Sequence, residues 1–141
     1  LSRTVWSDAF GVRKVPFAFD PDGILYNHET GNSDNGSAMS SFIETSDLEI
    51  SASGDQLFMI DKIIPDATMT SDTNLYVNLK TRKYPQDTET TKGPFTITST
   101  TSKVSTRARG RQVAVKLYSD GTNDDWVLGD FRINTRADGL R

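Results

Sequence analysis

The residues best suited to chemistry in this sequence are arginines. Arg107, Arg109 and Arg111 occupy every second position of KVSTRARGRQVAVKL, residues 103–117, and Val113, Val115 and Leu117 continue the same spacing. A guanidinium is planar, always charged and carries its donors in a rigid fork. Its chemistry is therefore recognition, a two-pronged grip on a carboxylate or a phosphate. Arg132 and Arg136 extend the set, and these five are the candidate interface residues. The plainer reading leaves them as solvated charges or local salt-bridge partners.

Acid–base and nucleophilic chemistry has less to work with. His28, followed by Glu29, is the single histidine, and there is no cysteine. A histidine beside a carboxylate can act as a base only with a positioned partner, and Ser–His or Cys–His pairs find no support. No catalytic residue, cofactor or enzymatic activity is expected. Asp20 and Asp22, and Asp120, Asn123, Asp124 and Asp125, supply oxygens of the kind calcium takes. Their spacing matches no calcium loop and they are also turn formers, so no metal site is expected. Trp6, Tyr26, Tyr118 and Trp126 could line a sugar platform or belong to the core.

These side chains need elements to hold them. A spacing of two is the strand period, yet one regular strand over residues 103–117 would put arginines and aliphatics on one face. Gly110 resolves the conflict if it marks a bulge, which flips the parity. Val104, Thr106 and Ala108 then face inward with Arg107 and Arg109 outward, Arg111 lies at the kink, and Val113, Val115 and Leu117 face inward beyond it. WVLGDFRIN, residues 126–134, repeats the logic: Trp126 and Leu128 share one parity, Phe131 and Ile133 the other, and Gly129 lies between. A second bulge is expected at Gly129, beside the first on a paired strand. Val113, Val115, Leu117, Trp126, Leu128, Phe131 and Ile133 are the predicted core of this region.

Short apolar runs separated by turn formers recur along the chain. DPDG, residues 20–23, reads as a turn between two strands, with Pro16 marking an edge. LFMIDKII, residues 57–64, reads as a buried strand stopped by Pro65, and LYVNL, residues 75–79, alternates cleanly. Residues 85–93 read as a long polar loop and residues 135–141 as a fraying tail. No helical period persists. The expectation is all-β: a single antiparallel, jelly-roll-like β-sandwich of about eight or nine short strands over residues 1–141.

The chain has 141 residues and a net charge of −3, which argues against general nucleic-acid binding by its whole surface. No segment is apolar and long enough to be expected to span a membrane. It begins at Leu1 without Met, which suggests a piece of a longer protein.

Seven segments in order, HETG at 28–31, FIETSDLEI at 42–50, IIPD at 63–66, LKTRKYP at 79–85, RARGRQ at 107–112, WVLGDFRI at 126–133 and RADGLR at 136–141, resemble the C-terminal region of tail nozzle or tail hub proteins of short-tailed bacteriophages. RARGRQ and WVLGDFRI are the most specific of these, and the first 27 residues lie outside the resemblance. It implies a virion protein of the phage tail and the last domain of a longer chain. It further implies assembly with other copies in a ring, expected to be a hexamer, docking to neighbouring tail proteins, and a part in DNA exit. In that setting the arginine row would fork onto carboxylates of a neighbour. A carbohydrate- or receptor-binding module of a phage tail is the alternative, and transient contact with exiting DNA through the arginines is a third possibility.

Overall fold

The most apolar run of the chain becomes the centre of a sheet. In the computed structural model, which describes residues 5–9, 11–50 and 55–140, β6 (Phe58–Ile64) lies between β10 (Val104–Gly110) and β13 (Arg132–Ala137), antiparallel to both. A second sheet has the order β4 (Ser41–Glu44), β11 (Gln112–Ser119), β8 (Leu75–Arg82), β9 (Thr90–Ile97), and β5 (Leu48–Glu49) pairs β11 beside β4. The cleanest alternation in the sequence gives the cleanest strand: Leu75, Val77, Leu79 and Thr81 are buried, and the residues between them are half-exposed.

The two sheets face each other across the core. Phe58, Ile60, Ile63 and Ala108 come from the three-stranded sheet. Leu75, Val77, Leu79, Ile97, Val113, Val115 and Leu117 come from the five-stranded one. Each fully buried aliphatic of this size contributes about 1.5–3 kcal/mol relative to exposure. A two-stranded ribbon, β7 (Ala67–Met69) with β12 (Trp126–Leu128), packs Ala67, Met69, Trp126 and Leu128 against that core. Among the described residues no helix forms, so the fold is all-β and sandwich-like. A separate three-stranded sheet, β1 (Val5–Ser7), β2 (Phe17–Phe19) and β3 (Leu25–Asn27), adds no residue to the core cluster.

Several expectations are corrected. Thirteen strands appear among the described residues, because the long segments divide and two- and three-residue strands carry too few residues to show a period. The polar segment 85–93 is a shorter loop than expected, since β9 already begins at Thr90. The tail is ordered through Gly139: β13 runs to Ala137, Asp138 N–H bonds the Leu57 carbonyl, and Leu57 N–H bonds the Gly139 carbonyl, both at 2.8 Å. Pro16 does not mark an edge, for it precedes β2, the central strand of its sheet, and its carbonyl accepts the His28 amide at 2.7 Å. Residues 1–10, whose apolar pairs Val5–Trp6 and Ala9–Phe10 read as a first strand or a packing arm, are described only for 5–9, where β1 forms, and Phe10 lies outside the described residues.

Gly110 does not kink one continuous strand. It is the last residue of β10; Arg111 turns the corner and β11 begins in the opposite sheet. The parity change is present, with Ala108 and Gly110 buried before the corner and Val113, Val115 and Leu117 buried after it. Its cause is a passage between sheets. Gly129 likewise lies between strands of different sheets, β12 and β13, and the two glycines sit at opposite ends of β6. Gly110 pairs with Phe58, whereas Gly129 N–H bonds the Asp66 carbonyl at 2.6 Å.

The register irregularities of the three-stranded sheet gather at Asp61. On β10, Ser105 faces Lys62 and Ala108 faces Ile60, so Thr106 and Arg107 stand against Asp61 alone. On β13, Asn134 faces Lys62 and Thr135 faces Ile60, so Asp61 has no opposite residue. Hence Ile60 and Ile63, three apart, both face the core.

Candidate docking surface

The five arginines divide by what they touch. The Arg109 side chain forms an ion pair with Asp138, and its Nη2 also donates to the Asp138 carbonyl at 3.0 Å. Arg111 donates to three backbone carbonyls: Nε to Asp55 at 3.0 Å, Nη1 to Lys83 at 3.1 Å and Nη2 to Leu140 at 3.0 Å. Its guanidinium carbon lies 4.6 Å from the centre of the Tyr84 ring, in cation–π range. Arg136 donates through Nε, at 2.7 Å, and Nη2 to Asp61. Arg107 and Arg132 are exposed and make no ion pair with a described residue.

Arg107 and Arg109 face outward on β10 and Arg111 lies at the turn after it, as expected. Arg111 belongs to the corner, and Arg109 and Arg136 stand level across Met59 of β6, each engaged within the chain. The Asn134 amide, which donates at 2.7 Å, and the Arg136 guanidinium hold the Asp61 carboxyl below its usual range. Of the predicted core residues, Val113, Val115 and Leu117 are buried, while Trp126, Leu128, Phe131 and Ile133 are partly buried against the core. Trp126 Nε1 donates to Ser119 Oγ at 3.0 Å and to Ser41 Oγ at 3.2 Å, which ties β12 to β4 and β11.

The other candidates fall into local roles. His28 packs edge-on against Trp6, ring centres 4.7 Å apart. Asp20 Oδ1 accepts the amides of Asp22 and Ile24, and Asp124 Oδ2 accepts that of Gly121, so these carboxylates shape turns.

Two features went unread in the sequence. One is the edge formed by β4 and β5, where Phe42, Ile43, Leu48 and Ile50 are all exposed, Phe42 at 63%. The signal was there: Phe42 and Ile43 are adjacent, and neighbours on a strand point to opposite faces. Along this edge Lys80 forms an ion pair with Glu44, and Arg82 Nη1 lies 2.9 Å from Asp47. The Lys80 bond pulls the Glu44 carboxyl below its usual range, and Glu44 in turn raises the Lys80 ammonium. The second is a concavity of about 450 Å³ between the end of β8, the start of β9 and β10, lined by Lys83, Lys92, Arg107 and Arg109 with a single carboxylate, Asp87. Its residues come from three separate segments, so no motif could announce it.

Compared with known proteins, no family model matches this chain and no curated protein matches its sequence.

Proposed function

We propose that this chain is a structural domain of a short-tailed phage tail, a non-catalytic part of the nozzle or hub ring that takes part in tail assembly and DNA exit. Two things support the reading: the ordered set of tail-protein motifs, and the edge formed by β4 and β5. The edge is the observation that carries it. Exposed sheet edges are templates for pairing, and proteins that stay apart blunt them with charge, proline or bulges. The edge strand β9 carries Lys92 and Pro94, and β10 carries Arg107 and Arg109. On the β4–β5 edge the carboxylates Glu44, Asp47 and Glu49 are engaged by Lys80, Arg82 and Gln112 of the same chain, and Phe42, Ile43, Leu48 and Ile50 are left exposed between them. An assembly would cover that apolar strip with another copy or a neighbouring tail protein. The arginines enter this role differently from the expectation: Arg109, Arg111 and Arg136 stiffen the domain, and Arg107 and Arg132 remain exposed.

The test is incorporation into particles. The encoding phage is grown with Ile43→Lys or Leu48→Lys in the full-length protein, and purified virions are analysed by mass spectrometry. Ile43 and Leu48 are 45% and 43% exposed, an unchanged thermal midpoint of each purified variant verifies folding, and the expected result is their loss from assembled tails. Absence of the wild-type protein from virions, or normal tails with both variants, overturns the reading.

A further inference from the structure

We infer that the concavity between β8, β9 and β10 is a binding site for the charged groups of a sulfated or phosphorylated saccharide. The inference goes beyond the tail reading and does not depend on it. Three observations carry it.

The first is charge. The chain holds 16 basic and 19 acidic residues, yet this concavity gathers four cations and one carboxylate. The second is the state of those cations. Single cations without an ion pair to a described residue, such as Lys14, Lys62, Lys103 and Arg132, are scattered over the surface, and Arg109, at this site, is paired with Asp138; what sets the hollow apart is that several such cations line one concavity. Lys83, Lys92 and Arg107 make no ion pair with a described residue, and all three are exposed at the same hollow. Unsatisfied like charges repel, so a group of them gains from an oxyanion arriving between them.

The third observation selects the ligand. Thr88 and Thr90 line the hollow beside the cations and add hydroxyls, which match a hydroxyl-bearing scaffold. No lining residue is aromatic, so neither a nucleobase nor an apolar sugar face finds a platform to stack on, and recognition here rests on the ligand's charged groups and hydroxyls. A volume of about 450 Å³ suits a group of small-ligand size rather than a long phosphate backbone. Asp87 is the one lining group that opposes binding. Its Oδ1 accepts the Thr88 amide at 3.2 Å, and its charge works against any anion.

The intact chain is titrated at low ionic strength with a heparin-derived sulfated tetrasaccharide, with its desulfated counterpart, and with a thymidine oligonucleotide of equal charge, and amide shifts are followed by NMR. The sulfated probe should move the amides around Lys83, Thr88, Thr90, Lys92 and Arg107 and the desulfated one should not, with affinity falling as salt rises. Lys92→Gln combined with Arg107→Gln should weaken binding roughly tenfold or more, and Asp87→Asn should tighten it. Both changed cations are exposed, and an unchanged thermal midpoint verifies folding. Equal affinity in the double variant, shifts centred on Lys62 or Lys103, or tighter binding of the oligonucleotide would each overturn the assignment.

Discussion

The carbonyl oxygen of Arg82 accepts the backbone amide of Arg111 at 2.8 Å, joining the end of β8 to the corner where the chain leaves one sheet and enters the other. That bond brings two backbones close together at Gly110. A Cβ there would lie 2.9 Å from the Arg82 oxygen and 3.0 Å from both the Gln112 oxygen and Thr81 Cβ. A side chain before the corner would force these backbones apart, so glycine suits the position, and the arginine after it completes the closure through its side chain.

Gly110→Ala should accordingly destabilise the domain. Two of the three close neighbours are backbone atoms, which cannot turn aside as a flexible side chain would. The cost expected for such overpacking is about 1–3 kcal/mol. For a chain of this size that lowers the thermal midpoint by about 2–4 °C per kcal/mol. Calorimetry reads it directly, and an unchanged midpoint would mean that the two segments separate without cost.

Arg111→Lys should be nearly as damaging as Arg111→Ala. An ammonium is a point charge without the planar fork, and the three carbonyls of Asp55, Lys83 and Leu140 lie around the guanidinium in separate directions. The expected loss is about 1–2 kcal/mol in urea unfolding. Hydrogen exchange should also quicken at Leu57 and Asp138, whose amides bond the neighbouring backbone. Full retention of stability in the lysine variant would show that charge alone, without the fork, suffices.

Arg109→Ala separates an internal clasp from a docking contact. Because the side chain holds both the carboxylate and the carbonyl of Asp138, its removal should speed amide exchange at Asp138 and leave the oligomeric state unchanged. Loss of assembly without a change in exchange would restore Arg109 to an intermolecular role.

The Glu44–Lys80 pair predicts a pH dependence. Glu44 has its carboxyl pKa lowered from 4.5 in the fold, chiefly by the Lys80 bond. A lowered carboxyl contributes stability that is present above the unfolded value and is lost as pH falls through the folded one. Glu44→Gln should therefore match the wild-type chain under strong acid and fall below it at neutral pH. Because the pair is half-exposed, the difference should be about 0.2–1 kcal/mol and shrink with salt. Thermal midpoints measured across the acid range for both proteins test this, and parallel curves would exclude the linkage.

Much of the fold was legible because burial leaves a period in the sequence. The alternation in LYVNL and in VAVKL forecast which side chains of β8 and β11 enter the core, and the parity change at Gly110 was visible as a conflict between Arg107 and Val113 on one nominal face. The conflict could not show its own resolution. A bulge and a passage between sheets flip parity alike, and only pairing partners distinguish them: β10 pairs β6, and β11 pairs β8. The flip within β6 at Asp61 was equally written in the spacing of Ile60 and Ile63, but a run apolar on both sides masks it.

By itself the sequence determined the strand character, the aliphatic core and the positions of the guanidinium groups, because these depend on side-chain type and on near neighbours along the chain. The tertiary structure alone decided what the guanidinium groups do. Arg109 meets Asp138 29 residues away, Arg111 meets Asp55 at 56, and Arg136 meets Asp61 at 75. Electrostatic partnership depends on distance in space, and a sandwich brings together segments that the linear order keeps far apart.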